Sequence, residues 1–289
     1  LLSIKPNGQY RFLTKKIYKK MDIDLANKVL QTDYFKEVLS PISIDTSKLN
    51  KIVVFAPHQD DEVIGCGGLL SYLVENNNCE IDLVFLTDGR PSWDNPEEMI
   101  NKRRKESEKV ASVLNARTHN IDINNVTLDI NEIHLKRIEK IMTNQYDAIF
   151  LPWILDAPPK HRLCNAILEK VFKRVDLHKY FQLFNYQVHT ALIPNVLFNY
   201  TNLLIEKQKL IKIYQSQMNF QNYAHLSKGL DSWNARFLGW SKDENYVECY
   251  HQLPYEGWSN LVKWYDRDVN ETFRGNQTCM ARYQNLKAL

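Results

Sequence analysis

The feature that most constrains this 289-residue chain is an alternation of short apolar runs with amphipathic segments, which extends from residue 51 to about residue 175. Lys51 to Ala56 is a run of β-branched and apolar residues bounded by Pro57, a pattern typical of a strand buried on both faces. Apolar positions at helical spacing follow from Gly65 to Glu75, and Glu80 to Leu86 is a second apolar run. A strand, a helix and a strand in this order predict a β-α-β unit with parallel strands.

The same alternation continues further along the chain. Asn101 to Leu114 and Ile133 to Met142 have the pattern of amphipathic helices, and Ala148 to Leu151 has that of another buried strand. The sequence therefore predicts an α/β fold, in which a Rossmann-like, mostly parallel sheet is flanked by helices. Hydrophobic residues make up 44% of the chain, which is enough apolar surface for one sizeable core.

The two ends of the chain differ from this central part. Residues 1–50 are predicted to form an N-terminal extension, which precedes one domain of residues 51–289. The aromatic-rich sequence from Trp233 onward predicts irregular structure that closes over the functional site as a C-terminal cap, with a tail from about residue 252. A short helix, two strands and a longer helix are predicted at Asp24–Leu30, Tyr180–Val188, Asn195–Tyr200 and Asn202–Tyr214.

The charge of the chain is nearly balanced. A formal net charge of +3 over this length is too small to predict nucleic acid as a partner. The charge is uneven, however, because residues 5–20 contain six lysines and arginines and no acid. This stretch predicts peripheral contact with a membrane or with an anionic substrate. The alternative is a solvated basic face.

The five cysteines are scattered and include no Cys-x-x-Cys pair. That pattern is typical of free thiols in a reducing compartment and predicts a cytoplasmic protein. No run approaches the roughly 20 apolar residues that a membrane span requires.

The loop that leaves the first core strand holds an unusual group of ionisable side chains: His58, Asp60, Asp61 and Glu62. Like charges held this close repel and raise one another's pKa unless a cation or hydrogen-bond donors offset them. A bound metal ion is one explanation. The alternative is that the carboxylates cap the N-terminus of the following helix, where negative charge is favourable.

A second loop follows the strand at Ala148 to Leu151 and contains His161. Because parallel strands end at the same edge of a sheet, His161 is expected to meet His58 and Asp61 there, although a lone loop histidine is commonly a surface residue. Two nitrogens and one carboxylate with an open position form the ligand set of a catalytic zinc site. Asp60 lies beside these ligands without being needed as one, which makes it the candidate general base.

These residues resemble the PIG-L/LmbE-like de-N-acetylase family, whose members include N-acetylglucosaminyl-phosphatidylinositol deacetylase and the mycothiol- and bacillithiol-pathway deacetylases. The family's first motif, usually Ala-His-Pro-Asp-Asp-Glu, appears here at residues 56–62 with Gln59 in place of the common proline. The likeness covers roughly residues 50–252. Its later matches are Thr87-Asp88-Gly89, Arg103 with Glu106, Tyr214-Gln-Ser216-Gln217 and Glu248-Cys-Tyr250.

The resemblance implies a hydrolase that uses Zn²⁺, or another divalent metal, to remove an N-acetyl group from a sugar or sugar conjugate. It implies metal ligands at His58, Asp61 and His161, the catalytic base at Asp60, and substrate contacts at Arg103 and Asp88. For Arg103 the alternative is an ion pair with Glu106 three residues later, and for Asp88 it is a simple turn.

The chain departs from the family's second motif. His-Pro-Asp-His appears here as Pro158-Pro159-Lys160-His161, so the metal-ligating histidine remains while the first histidine, thought to stabilise the oxyanion, is absent. Lys160 or His189 can supply positive charge in its place.

Three alternatives stay open at this stage. The departure at Pro158 favours a metal- and carbohydrate-binding protein with weakened or lost catalysis. The family resemblance also reaches metal-dependent hydratases of the same fold. A dinucleotide-binding domain is disfavoured, because the glycines at 65, 67 and 68 do not have the G-x-G-x-x-G spacing and the acids before them would repel phosphate.

Overall fold

One eight-stranded sheet runs through the protein, whose computed structural model describes residues 20–32, 41–92, 95–175, 181–273 and 276–289. The strands are β1 (Ile42–Ser43), β2 (Lys51–Ala56), β3 (Glu80–Thr87), β4 (Arg117–Ile123), β5 (Ala148–Pro152), β6 (Gln182–Tyr186), β7 (Val196–Asn199) and β8 (Val247–Leu253). They lie in the order β1-β7-β8-β6-β5-β2-β3-β4. Neighbours are parallel except for β8, which is antiparallel to β6 and β7. The predicted mostly parallel sheet is confirmed.

Helices cover both faces of this sheet. They are α1 (Lys20–Leu30), α2 (Asp61–Asn76), α3 (Pro96–Val113), α4 (Glu132–Met142), α5 (Pro159–Arg174), α6 (Leu204–Ile213), α7 (Gln215–Met218), α8 (Tyr223–Asn234), α9 (Tyr255–Lys263), α10 (Val269–Thr272) and α11 (Gln277–Ala288). Among the described residues, no helix is both long enough and apolar enough to cross a bilayer.

Alternate residues of β2 enter two separate hydrophobic cores. Val53 and Phe55 pack with side chains of α1, α4 and α5 on one face, whereas Ile52 and Val54 pack with those of α2 and α6 on the other. All four side chains are fully buried. This is the burial expected of a central parallel strand, because consecutive side chains point to opposite faces of the sheet.

The structure corrects two predictions about local structure. Irregular structure from Trp233 onward is wrong, because β8 lies inside the sheet between β6 and β7, and α9 and α11 pack on α5. The sequence of β8 hid the strand, since its buried Glu248 and His251 interrupt the apolar pattern. His161 is also not in a loop but in the first turn of α5.

Part of the predicted N-terminal extension joins the sheet. Ile42 and Ser43 pair with β7 as the edge strand β1. The predicted helix around Asp24 to Leu30 is confirmed as the second half of α1. Residues 5–19 of the basic stretch lie outside the described residues, so its predicted membrane contact stays a prediction.

The sheet order places a crevice at the carboxyl end of β2. This strand has β3 on one side and β5 on the other. The chain passes from β2 to β3 on one side and from β5 to β6 on the other, so the two connections leave in opposite directions. In open α/β sheets such a topological switch point is where ligands bind. The segments that follow β2 and β5 and carry the predicted metal ligands therefore meet at this crevice.

Glycines let α2 approach the sheet closely. A Cβ atom added to Gly65 would lie 2.2 Å from the ring of Tyr186, and one added to Gly68 would lie 2.4 Å from the ring of Tyr200. Both rings belong to large, fully buried side chains, so neither can move aside without disturbing the core. The glycine-rich start of α2 is thus required by packing.

We expect Gly68→Ala to lower the free energy of unfolding by about 1–3 kcal/mol, because the new methyl group overpacks a core that has no space for it. The matched control is Gly229→Ala in α8, where an added Cβ meets nothing within 4 Å. That substitution should raise stability by up to about 1 kcal/mol, because alanine favours a helix interior. Urea unfolding of both variants measures the two effects, and equal stability changes would contradict the packing argument.

Candidate metal-binding active site

Three side chains meet at the crevice with their ligand atoms within 4.8 Å of one another: His58, Asp61 and His161. His58 follows β2, Asp61 is the first residue of α2, and His161 is the third residue of α5. Asp61 Oδ2 lies 3.2 Å from His58 Nδ1 and 3.4 Å from His161 Nε2. The structure therefore brings together the three residues that the sequence predicted as metal ligands.

The geometry of these atoms fits a divalent ion. Ligands of a tetrahedral zinc ion, at about 2.0–2.1 Å from it, are separated by about 3.3 Å, which is close to both distances from Asp61. His161 Nε2 is also buried without a hydrogen-bond partner among the described residues. A buried nitrogen in that state is costly unless something binds it, so this group of residues can hold a metal ion.

The charge states of His58 and Asp61 suit this role. Burial lowers the pKa of His58 to about 4, an effect that the nearby Asp61 offsets only in part. Burial alone would raise the pKa of Asp61, but the neighbouring imidazoles of His161 and His58 outweigh it and hold that pKa well below its usual range. A neutral imidazole and an ionised carboxylate are the forms that bind metals. Burial lowers the pKa of His161, but Asp61 and Asp156 outweigh that effect and raise it, and a bound cation would favour the neutral imidazole.

Asp156 fixes the orientation of His161. Its Oδ2 lies 2.8 Å from His161 Nδ1, and its Oδ1 accepts hydrogen bonds from the backbone amides of Ala157 and Thr190. Because an ionised carboxylate only accepts, His161 Nδ1 must carry the proton. The lone pair of Nε2 then points toward Asp61, the arrangement of a carboxylate–histidine–metal triad.

Asn125 does the same for His58. Its Nδ2 donates to the carbonyl oxygen of Arg90 at 2.9 Å, so its Oδ1 faces the crevice as an acceptor. That oxygen lies 3.1 Å from His58 Nε2 and accepts from Lys160 Nζ at 2.9 Å. With the proton on Nε2, the lone pair of His58 Nδ1 is free to face Asp61.

Asp60 lies beside the three residues in an unusual backbone conformation. Its φ is +127°, it is only 7% exposed, and its amide donates to Glu62 Oε2 at 3.0 Å. Burial, and then the charges of Asp61 and Glu62, raise the pKa of its carboxyl well above the usual range. Non-glycine residues in strained backbone conformations recur at functional sites.

Glu62 is held by a residue from far along the chain. Tyr214 donates its hydroxyl hydrogen to Glu62 Oε1 at 2.5 Å. Burial raises the pKa of Glu62 to about 7, which this hydrogen bond moderates. Ser216 similarly donates its amide and hydroxyl to Glu106. The Tyr-x-Ser-Gln segment therefore ties α7 to α2 and α3 behind the cluster.

The cluster opens into a cleft of about 350 Å³, within the range of small-molecule sites. Arg103 lines this cleft, and its Nε is buried without a hydrogen-bond partner among the described residues. Burial lowers the pKa of Arg103, and Asp60 gives the largest opposing effect. Since Glu106 binds Ser216, the geometry favours a role for Arg103 in the cleft over an ion pair on a solvated helix face.

Asp88 lies behind the cleft wall. Its carboxylate accepts hydrogen bonds from the amide and Nε of Arg90 and from the amide of Asn125. It thereby shapes the turn that presents Asn125 to His58. Its predicted substrate contact stays a prediction.

Pro158, which occupies the place of the family's first histidine, lines the cleft together with Lys160 and His189. The ring of His189 lies 5.3 Å from that of His161, centroid to centroid. Lys160 Nζ reaches the cleft wall through its bond to Asn125. The side chains of Lys160 and His189 therefore line the same cleft as Pro158, which has no hydrogen-bond donor of its own.

Sequence reasoning missed the two residues that orient the imidazoles. Asp156 lies in the same connection as His161, five residues earlier, and a carboxylate at that spacing was an available signal. Asn125 carries no local signal, because it contacts His58 from 67 positions away. The link between Tyr214 and Glu62 was equally invisible, since it spans 152 positions.

The sequence profile of the PIG-L family, described as GlcNAc-PI de-N-acetylase, matches residues 53–172. This segment contains all three residues of the metal-binding cluster as well as Asp60, Arg103 and Asn125. The resemblance to PIG-L and LmbE-like de-N-acetylases is confirmed. No curated protein sequence matches the chain significantly.

Several solved structures share the fold. N,N'-diacetylchitobiose deacetylase from Pyrococcus horikoshii, in complex with an inhibitor, is 22% identical, with a TM-score of 0.62 over 81% of this chain and 93% of that one. The conserved protein TT1542 from Thermus thermophilus is 21% identical, with a TM-score of 0.58 over 71% and 95%. GalB, the 4-carboxy-2-hydroxymuconate hydratase from Pseudomonas putida, is 16% identical, with a TM-score of 0.59 over 71% and 96%. At these identities the likeness concerns the fold alone.

Proposed function

We propose that this protein, whose residues 53–172 match the PIG-L family, is a metal-dependent hydrolase that removes an N-acetyl group from an acetamido sugar or sugar conjugate. The observation that carries the proposal is the convergence of His58, Asp61 and His161, with His161 Nε2 buried and without a hydrogen-bond partner among the described residues. The sugar class is supported by the activity named for the Pyrococcus horikoshii neighbour, N,N'-diacetylchitobiose deacetylase.

His58 Nδ1, Asp61 Oδ2 and His161 Nε2 would hold the metal, Zn²⁺ or another divalent ion. Such an ion supplies a Lewis acid that lowers the pKa of a water molecule and polarises a carbonyl oxygen. The contribution of the protein is to keep both imidazoles in the right tautomer, through Asn125 and Asp156. Those contacts fix the positions of the ligands before any substrate arrives.

Asp60 is the proposed general base and acid. Its carboxyl lines the cleft beside the ligands, and its raised pKa makes it a stronger proton acceptor than an ordinary aspartate. It takes the proton from the attacking water and returns it to the departing amine. The positive charge of Arg103 favours the ionised form of Asp60. Arg103 Nε has no hydrogen-bond partner among the described residues, so it can donate to a substrate oxygen.

The negative charge that develops on the acetyl oxygen needs a donor in place of the missing histidine. Proline has no N–H, so Pro158 cannot provide one. Lys160 and His189 both line the cleft, and either side chain carries an N–H that can donate a hydrogen bond to that oxygen.

We expect Asp60→Asn to retain the metal and to lower kcat for acetate release about 10²–10⁴-fold, because the amide cannot accept the proton. Asp61→Asn should instead lose the metal, because it removes the only carboxylate among the three ligands. Zinc content by elemental analysis and acetate release from a panel of N-acetylhexosamine conjugates separate the two effects.

Three results would contradict the proposal. Full turnover in Asp60→Asn would exclude Asp60 as the base. Bound metal without acetate release from any conjugate would favour the alternative of a metal- and carbohydrate-binding protein. In that case the loss of the first motif histidine, at Pro158, has removed catalysis. The hydratase alternative predicts instead that wild-type protein adds water to an unsaturated dicarboxylate and releases no acetate.

We expect Asn125→Ala and Asp156→Ala each to weaken metal affinity about 10–100-fold, because the imidazoles lose the partners that fix their tautomers. Asn124→Ala is the matched control, since the side chain of the neighbouring Asn124 accepts hydrogen bonds from the amides of Val126 and Thr127 and not from the site. Competition with a chromophoric chelator gives the three affinities. Wild-type affinity in both test variants would show that the histidines are positioned without these residues.

A further inference from the structure

The helix α8 buries polar side chains and leaves large apolar ones exposed. Four small or polar residues at helical spacing are buried against the protein: Ala224, Ser227, Asp231 and Asn234. Its exposed positions combine polar residues with two large apolar side chains, Leu226 at 45% and Trp233 at 67% exposure. A surface helix normally turns large apolar side chains toward the core, so these two need an explanation.

Buried charge explains the inner face. Asp231 accepts hydrogen bonds from Lys207 Nζ at 2.8 Å and from the Tyr200 hydroxyl at 2.5 Å, and Ser227 adds a third contact. Lys207 is fully buried, so this ion pair fixes the rotation of α8 about its axis. The apolar side chains are therefore held in solvent by the fold itself.

Exposed apolar residues are concentrated around this helix. Of the eleven large hydrophobic residues that are exposed in the described part of the chain, five lie between residues 220 and 240. They include every exposed aromatic residue of that set, at Phe220, Trp233 and Trp240, and Trp240 is fully exposed. We call the exposed side chains of residues 220–240 the 220–240 surface.

The exposed charges between residues 220 and 240 are those of Lys228 and Arg236. The acid of this stretch, Asp231, is buried against Lys207, and beyond the stretch Lys242 is followed by the exposed acids Asp243 and Glu244. Arg236 lies over the rings of Trp233 and Phe237 at 4.7 and 4.2 Å. Tryptophan with lysine and arginine is the combination found at the interface of an anionic bilayer.

The surface is continuous with the cleft. Tyr223, the first residue of α8, lines the cleft and contacts the ring of His189. A flat partner on the 220–240 surface would therefore lie next to the cleft entrance.

We propose that the 220–240 surface docks this protein on an anionic phospholipid bilayer, with Trp233 and Trp240 inserted among the headgroups and Lys228 and Arg236 on the lipid phosphates. The contact is peripheral and separate from the metal site. Docking and hydrolysis can therefore fail independently of each other.

The test is sedimentation of the full chain with phosphatidylcholine vesicles and with vesicles that also contain phosphatidylglycerol. We expect binding to the anionic vesicles that weakens with added salt. The double variant Trp233→Ser, Trp240→Ser should bind them at least about tenfold more weakly, and Lys228→Gln, Arg236→Gln about 20-fold more weakly. The control is Val113→Ser, Ile133→Ser, which removes two exposed apolar residues elsewhere, 62% and 63% exposed, and should bind like the wild type.

Three results would overturn the proposal. Wild-type protein that does not sediment with anionic vesicles excludes bilayer docking. Undiminished binding by the tryptophan variant places the membrane contact elsewhere, for example in residues 5–20. Light scattering that shows a dimer which the tryptophan variant dissociates, without vesicle binding, assigns the surface to a second copy of the chain. Thermal unfolding and metal content of each variant confirm that a loss of binding does not reflect a loss of folding.

Discussion

The structure depends on the burial of three consecutive carboxylates at the start of α2. Asp60, Asp61 and Glu62 are each less than 10% exposed, and buried like charges at this spacing are strongly unfavourable without partners. Each is accommodated differently. Asp61 faces His58 and His161, and Glu62 accepts a hydrogen bond from the hydroxyl of Tyr214, which directly follows α6. Asp60 lies near Arg103 and keeps a raised pKa. The partners that Asp60, Asp61 and Glu62 require therefore bring elements from distant parts of the chain together at the start of α2.

A second buried network supports the same helix from behind. Glu248 of β8 accepts hydrogen bonds from the amides of Gly68 and Leu69 and from Lys207 Nζ, which also reaches Asp231 in α8. Removing one member would leave another charge buried without a partner, a change that typically destabilises a protein by about 3–5 kcal/mol. The network links α2, β8, α6 and α8. It thus fixes the position of α2, whose first residues line the cleft, and the rotation of α8 that leaves Leu226 and Trp233 exposed.

Much of the fold and of the site could be predicted because the signals are local. The elements β2, α2, β3, α3, α4 and β5 follow from apolar spacing, whereas β4, whose first residues are polar and at least partly exposed, was not predicted. The group His58, Asp60 and Asp61 stands in one short segment after β2. The cluster also followed from topology, since parallel strands end at one edge. The strand β8 could not be found in this way, because its buried Glu248 is satisfied by α2 and α6, which a single segment cannot show.

The sequence by itself determined the parallel sheet, the crevice at the end of β2 and the identity of the three candidate ligands, because hydrophobic period and residue type are properties of short segments. Only the tertiary structure decided which nitrogen of each imidazole faces the site, since Asn125 and Asp156 act through hydrogen bonds across the fold. It also decided which face of α8 meets solvent. That choice rests on the ion pair of Asp231 with Lys207, and the energy of a buried charge depends on what surrounds it in space.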